Sequence, residues 1–259
     1  MELTKEYLYE NYIVKDKSRA SIAKELGVTE STIDYWAKKF DLQYKRTDPD
    51  KVFNLKHIDR KDPIFCYYAG LVATDGYLDY KNKRIAVRVN NQGSNEVLEN
   101  LRAYFEFIRP VRHYKSSTGN ISHELLIPNS CIFQELVLMG IEGSKCDRTF
   151  SLDWFMSASN DCKKMFLRGI SDGDGNFHYG AWRLSMGSKD FVLSLIDVFN
   201  IYSEDHYELK LSSNSSGRKY PAISLHKKDT ASIFKWIYNG FEQYRFTDKY
   251  NSFVNQVVI

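Results

Sequence analysis

The sequence predicts an α+β protein in which one αββαββα pattern occurs twice in tandem behind a small all-α unit. Three observations lead there. Residues 63–75 and 162–174 are helical stretches with small residues on one side, and each ends in Asp-Gly followed by strand-like sequence. The elements after each stretch recur in one order. Residues 1–42, by contrast, show helical spacing and no strand pattern.

Within residues 1–42, Thr4 is placed to cap a first helix running through Tyr7, Leu8 and Tyr12. Ser18 caps a second, with Ala20, Ile22, Ala23 and Leu26 at helical spacing, and Gly27 supplies the positive φ of a tight turn. Thr29 caps a third, whose inner face is Ile33, Trp36, Ala37 and Phe40. The run SIAKELGVTESTIDYWAKKF resembles the helix-turn-helix family. That resemblance implies a helix in the DNA major groove presenting Thr29, Ser31, Thr32 and Tyr35, with Lys38 and Lys39 near phosphates. Helical hairpins with a glycine turn are common, so a packing module is the other reading; Glu30 and Asp34 share that face and repel phosphate, which weakens the binding expected of this module alone. Residues 43–62 are charged and aperiodic, which predicts a linker.

Asp62-Pro63 marks the next helix start, with an acid at the cap and proline at the first helical position. Residues 63–259 read as one domain of two repeats, about 63–150 and 151–259. Strands RIAVRV and WRLSM are followed by helices EVLENLRAYFEF and FVLSLIDVFNIY. Strand pairs PVRHYK with HELLIP and YELKLS with YPAISL come next. The closing helices, IFQELVLMGIEGSK and ASIFKWIYNGFEQYRFTDK, each end in a lysine, Lys145 and Lys249. The Asp75–Lys145 and Asp174–Lys249 intervals nearly match.

The segments YAGLVATDG (68–76) and LRGISDGDG (167–175) resemble the paired motifs of single-chain LAGLIDADG homing endonucleases, and GIEGSK and FTDKY resemble the lysine-bearing blocks that close each half. The resemblance implies a pseudo-two-fold pair of repeats with saddle-shaped antiparallel sheets. It implies cleavage of double-stranded DNA across the minor groove by Mg2+ (or Mn2+) held by Asp75 and Asp174, with Lys145 and Lys249 near the metals. The chemistry suits these residues. In-line attack by water on a phosphodiester is helped by cations that stabilise both the attacking and the leaving oxygen, and hard magnesium prefers carboxylate and phosphate oxygens. Small faces formed by Ala69, Gly70 and Ala73 on one helix, and by Gly169 and Gly173 on the other, allow close approach and bring the two acids together. Carboxylates at helix C-termini face the negative end of the dipole and repel each other, which is poor for stability and points to function.

DNA reading falls to the strands. Alternation leaves Arg84, Arg88 and Asn90 opposite Val87 and Val89; Arg112, Lys115, Arg183, Lys210, Arg218 and Lys219 lie on other strands or hairpin tips. A solvated sheet face is the alternative for any single one of them. His178 reads as a solvated strand histidine. Ala73 replaces the first acid of the first motif, and Arg168 replaces a small residue of the second; Arg168 is expected to point outward.

Composition sets the remaining bounds. The 259 residues are 43% apolar and 15% aromatic, as in a folded globular protein, and the net charge of +3 does not by itself announce a nucleic-acid binder. Cys66, Cys131, Cys146 and Cys162 form no zinc or redox motif. Asp172-x-Asp174-x-Asn176 begins like a calcium loop, but Phe177 and Arg183 stand where that loop needs glycine and an acid. Neither a signal peptide, a membrane span nor an intein is expected, and the protein is expected to be a cytoplasmic monomer. The main alternative is a transcription regulator that keeps this fold without cleavage; a maturase acting on intron RNA is a third reading.

Overall fold

Thr4, Ser18 and Thr29 each accept a hydrogen bond from the backbone amide three residues on, and each starts a helix: α1 (Lys5–Leu8), α2 (Arg19–Leu26) and α3 (Glu30–Lys39). A π-helical segment, Tyr9–Val14, extends α1. Gly27 closes α2 at φ +68°, a conformation costly for any residue with a Cβ. The computed structural model describes residues 3–258 apart from 16, 41, 43–57, 91, 108, 214 and 215. Most of the expected linker, residues 43–57, therefore lies outside the described residues. Leu8, Ile22, Ala23, Ile33, Ala37 and Leu42 form an apolar cluster separate from the main core.

Asp62 opens the next helix, its carboxylate accepting from the amides of Ile64 (2.8 Å) and Phe65 (3.0 Å). The first repeat then runs α4 (Pro63–Asp75), β1 (Gly76–Asp79), β2 (Arg84–Val89), α5 (Gln92–Tyr104), β3 (Arg112–Lys115), β4 (Ile121–Pro128) and α6 (Ser130–Leu138). After α7 (Leu152–Ser157), the second runs α8 (Asn160–Gly173), β5 (Gly175–His178), β6 (Ala181–Ser185), α9 (Lys189–Tyr202), β7 (Lys210–Ser213), β8 (Lys219–Ser224), α10 (Lys227–Ile237) and α11 (Thr247–Phe253). Each repeat builds one four-stranded antiparallel sheet, ordered β1-β2-β4-β3 and β5-β6-β8-β7. The α+β fold with two equivalent halves is thus present.

The sheets are one-sided. In β2, Ile85, Val87 and Val89 enter the core while Arg84 and Arg88 stay exposed; in β6, Trp182 and Leu184 enter it while Arg183 and Ser185 stay out. The core is continuous through both repeats, with α4 and α8 packed side by side at its centre. No helix among the described residues is long and apolar enough to cross a membrane.

The closing helices differ from expectation. Both stop early, because the chain enters left-handed backbone at Gly140 (φ +75°) after α6 and at Gly240 (φ +69°) after α10. Lys145 therefore sits in the loop beyond α6, whereas Lys249 lies within the additional helix α11.

Candidate active site at the junction of the motif helices

The approach of α4 and α8 is set by two glycines. A Cβ on Gly70 would stand 2.3 Å from the carbonyl oxygen of Phe166 and 2.9 Å from Cα of Gly169; a Cβ on Gly169 would stand 2.2 Å from the carbonyl oxygen of Tyr67. Backbone touches backbone here. One turn on, Gly173 leaves room for Thr74, whose Oγ1 would lie 2.0 Å from an added Cβ. Ala69 and Ala73 are fully buried. The small faces named from the sequence are therefore at or beside the crossing, with Thr74 as a further member that its β-branched type gave no reason to choose.

This crossing delivers the acids. Asp75 is the last residue of α4 and Asp174 caps α8. Nζ of Lys145 stands 3.7 Å from Oδ1 of Asp75 and 3.3 Å from Oδ2 of Asp174, so one ammonium bridges both repeats. Lys249 donates instead to the carbonyl of Gly175, just past the second acid. Burial, reinforced by the charge of Asp174, pushes the Asp75 carboxyl up to about 6, while Lys145 and Lys249 act in the opposite sense. Burial likewise raises Asp174. The two acids thus oppose folding at neutral pH. A folded-state value above the unfolded one means that stability falls as pH climbs from the unfolded range toward 6. Asp75→Asn is accordingly expected to melt higher than the parent chain at pH 7 in EDTA, with the difference shrinking toward pH 4; a lower melting temperature at pH 7 would contradict this.

Two buried arginines hold the site together, and neither was given this part by sequence reasoning. Arg148 donates from Nη1 to the carbonyl oxygens of Val72 (2.6 Å) and Gly76 (2.9 Å), closing the end of α4 and fixing the loop that carries Lys145. Tyr80 secures the same loop by accepting from the amide of Gly143. Arg168 corrects the expectation that it points outward, for it has no exposed surface. Its guanidinium donates to the carbonyls of Ile237 (2.9 Å from Nε), Gly240 (2.8 Å) and Phe241 (2.9 Å), which are left open where α10 ends. Its charge also lies near buried Asp172, which accepts from Tyr67 (2.8 Å), Tyr238 (2.9 Å) and the amide of Phe246 (2.9 Å). Counting from the aligned glycines Gly70 and Gly169, these two charged positions correspond to Ala69 and Ala73. The two departures from the motif thus fall within one pair of positions: the second repeat places the charge of Arg168 near Asp172, where the first has two alanines. Arg168→Met leaves the carbonyls of Ile237, Gly240 and Phe241 without their donor and removes a positive charge near Asp172, and should lower stability by roughly 3 kcal/mol or more in denaturant unfolding.

The donor set suits a hard divalent cation. Two carboxylates already converge on one cationic group, and no cluster of three histidine, cysteine or acidic side chains occurs among the described residues. Such a pair leaves most of a six-coordinate shell to water and phosphate oxygens, the usual way magnesium is held beside phosphate.

Arg84, Arg88, Asn90, Lys115, Arg183, Lys210, Arg218 and Lys219 are exposed, and Arg112 is half-buried. Arg88 pairs with Glu124 (2.8 Å) and Arg218 lies over the ring of Tyr220. His178 is exposed, against the ring of Tyr179. On α3, Ser31, Tyr35, Lys38 and Lys39 are exposed, as is Thr29 at its cap, and Thr32 is half-buried. Asp34 is paired with Arg19 of α2 at 2.5 Å, which removes part of the repulsion its charge would offer phosphate.

Among solved structures, the homing endonuclease I-WcaI bound to its DNA recognition sequence superposes with a TM-score of 0.56, at 18% identity, over 82% of this chain and 96% of that one. The fold is that of the LAGLIDADG homing endonucleases. I-DmoI in complex with DNA and Mn matches with a TM-score of 0.49 at 14% identity, over 69% of this chain and 97% of that one. Full-length WhiA from Thermatoga maritima gives 0.46 at 13% identity, over 78% and 62%. No family model matches the sequence, and no curated protein matches it.

Proposed function

We propose that this chain is a site-specific endonuclease that hydrolyses phosphodiesters of double-stranded DNA, using divalent cations held by Asp75 and Asp174. One observation carries the reading. Carboxylates from two repeats, far apart in sequence, meet on a single ammonium at the ends of helices whose other contacts leave them there at a cost in stability. A bound magnesium or manganese would supply Lewis-acid stabilisation of the phosphate oxygens and a more acidic water. The protein's own part is placement. Asp75 and Asp174 would hold the cations, Lys145 adds positive charge beside both carboxylates, Lys249 is oriented by the Gly175 carbonyl, and Arg148 keeps the Lys145 loop in register.

The exposed sheet faces supply the DNA contacts in this reading, since β1 and β5 leave directly from the two acids. Residues 1–42 act as a helix-turn-helix module, with α3 in the major groove and Tyr35, Lys38 and Lys39 outward. With both halves in one chain, a monomer suffices. Incubation with duplex DNA spanning the gene's own locus, uninterrupted, should give double-strand cuts in magnesium and none in EDTA. Binding without cutting in any divalent metal would instead assign the chain to DNA-binding regulators. Lys38→Ala with Lys39→Ala is expected to weaken DNA binding and to flatten the dependence of log K on log salt by about 2. An unchanged slope would remove α3 from the interface.

A further inference from the structure

The exposed face of the first sheet carries a cluster that the second lacks. Glu124 on β4 stands directly opposite Arg88 on β2 and Arg112 on β3. Its side chain is nearly enclosed at 11% exposure, while that of Arg88 remains 51% exposed. Arg88 donates from Nε (3.2 Å) and Nη2 (2.8 Å) to one carboxylate oxygen. Tyr114 donates its hydroxyl to the other at 2.9 Å, and Cζ of Arg88 lies over its ring, 4.4 Å from the centroid. Arg112 Nη1 stands 4.0 Å from that second oxygen. By register from Gly76 and Gly175, the positions of Arg88 and Glu124 are held in the second sheet by Ser185 and Ala222.

A solvent-facing arginine would ordinarily sample many rotamers. Here the acid and the ring fix the guanidinium plane before any ligand arrives, so little side-chain freedom remains to be lost on binding. The contact to Glu124 uses the Nε/Nη2 edge. The end-on edge, Nη1 with the second proton of Nη2, has no hydrogen-bond partner among the described residues and offers two coplanar donors. Guanine presents two acceptors, O6 and N7, side by side in the major groove, and is matched by such a fork. Phosphate is the poorer match, because the Glu124 charge offsets much of the attraction while leaving the directional donors intact.

We infer that Arg88, held by Glu124 and Tyr114, is a specificity-determining residue that reads one guanine of the bound duplex. This rests on the DNA reading proposed above. The test is selection of binders from randomised duplex DNA by the full chain in EDTA, repeated with Arg88→Ala and with Glu124→Ala. Alanine is already present at the equivalent place in the second sheet. The parent chain should converge on a sequence with a required G·C pair. Both variants should lose preference at that pair by roughly tenfold or more while keeping the other positions, which also reports that they are folded. Substituting 7-deazaguanine there should weaken the parent by a similar factor and leave Arg88→Ala unaffected. Uniform weakening across all sequences would make Arg88 a phosphate contact and overturn the inference, as would an unchanged preference. If the parent itself selects nothing, DNA reading by this chain fails, and the inference with it.

Discussion

Asp174→Asn should abolish magnesium-dependent cleavage, by roughly a thousandfold or more, while leaving DNA affinity close to that of the parent chain. The amide keeps the volume and one oxygen but not the charge that a hard cation requires. A thousandfold corresponds to about 4 kcal/mol of lost barrier reduction, reasonable for weakened binding of a cation at the reacting phosphate. In the function proposed above, affinity is set elsewhere, by the exposed basic residues of the two sheets and α3, so a gel-shift titration should separate the two effects. The result expected for a purely structural Asp174 is different. Its carboxyl is pushed up by burial, so losing the charge would then stabilise the fold and leave cutting intact. Cleavage that survives the substitution would remove Asp174 from the chemistry. Because Lys145 bridges both acids, Asp75→Asn should behave alike, and the double variant should be little worse than either alone.

Much of this arrangement was legible in the residues themselves. The caps Thr4, Ser18, Thr29 and Asp62 announce helix starts by a local hydrogen bond, and period-two alternation in 84–89 gives both the strand and its buried face. The acids stood out because each ends a helix in Asp-Gly and the pattern occurs twice. What could not be read depends on partners remote in sequence. Arg148 bonds to carbonyls at the end of α4, Arg168 to those at the end of α10, and Tyr67 of the first repeat to Asp172 of the second. A buried arginine looks like a surface one in a periodicity plot, since its partners are backbone carbonyls that no sequence displays. The early stop of the closing helices was legible in Gly140 and Gly240, whose left-handed turns end α6 and α10.

Gly169→Ala should destabilise the fold severely for the addition of a single methyl group. In an exposed helix, glycine to alanine is favourable by about 1 kcal/mol. Here the added carbon would sit 2.2 Å from the Tyr67 carbonyl oxygen and 2.9 Å from Cα of Gly70. Both are backbone atoms of a buried helix, so no rotamer change relieves the contact and α4 must move away from α8. That movement strains the Tyr67–Asp172 bond and opens the core between the repeats. A net loss of about 3 kcal/mol or more is expected, lowering the melting temperature by roughly 10 °C. It also draws Asp75 from Asp174, so cleavage should fall further than the folded fraction does. Gly70→Ala meets the same crossing from the other side, with a Cβ 2.3 Å from the Phe166 carbonyl oxygen, and the two losses should not add. An alanine at 169 that left both melting and cleavage unchanged would show that the helices are not in backbone contact, and the acids would then need another means of being brought together.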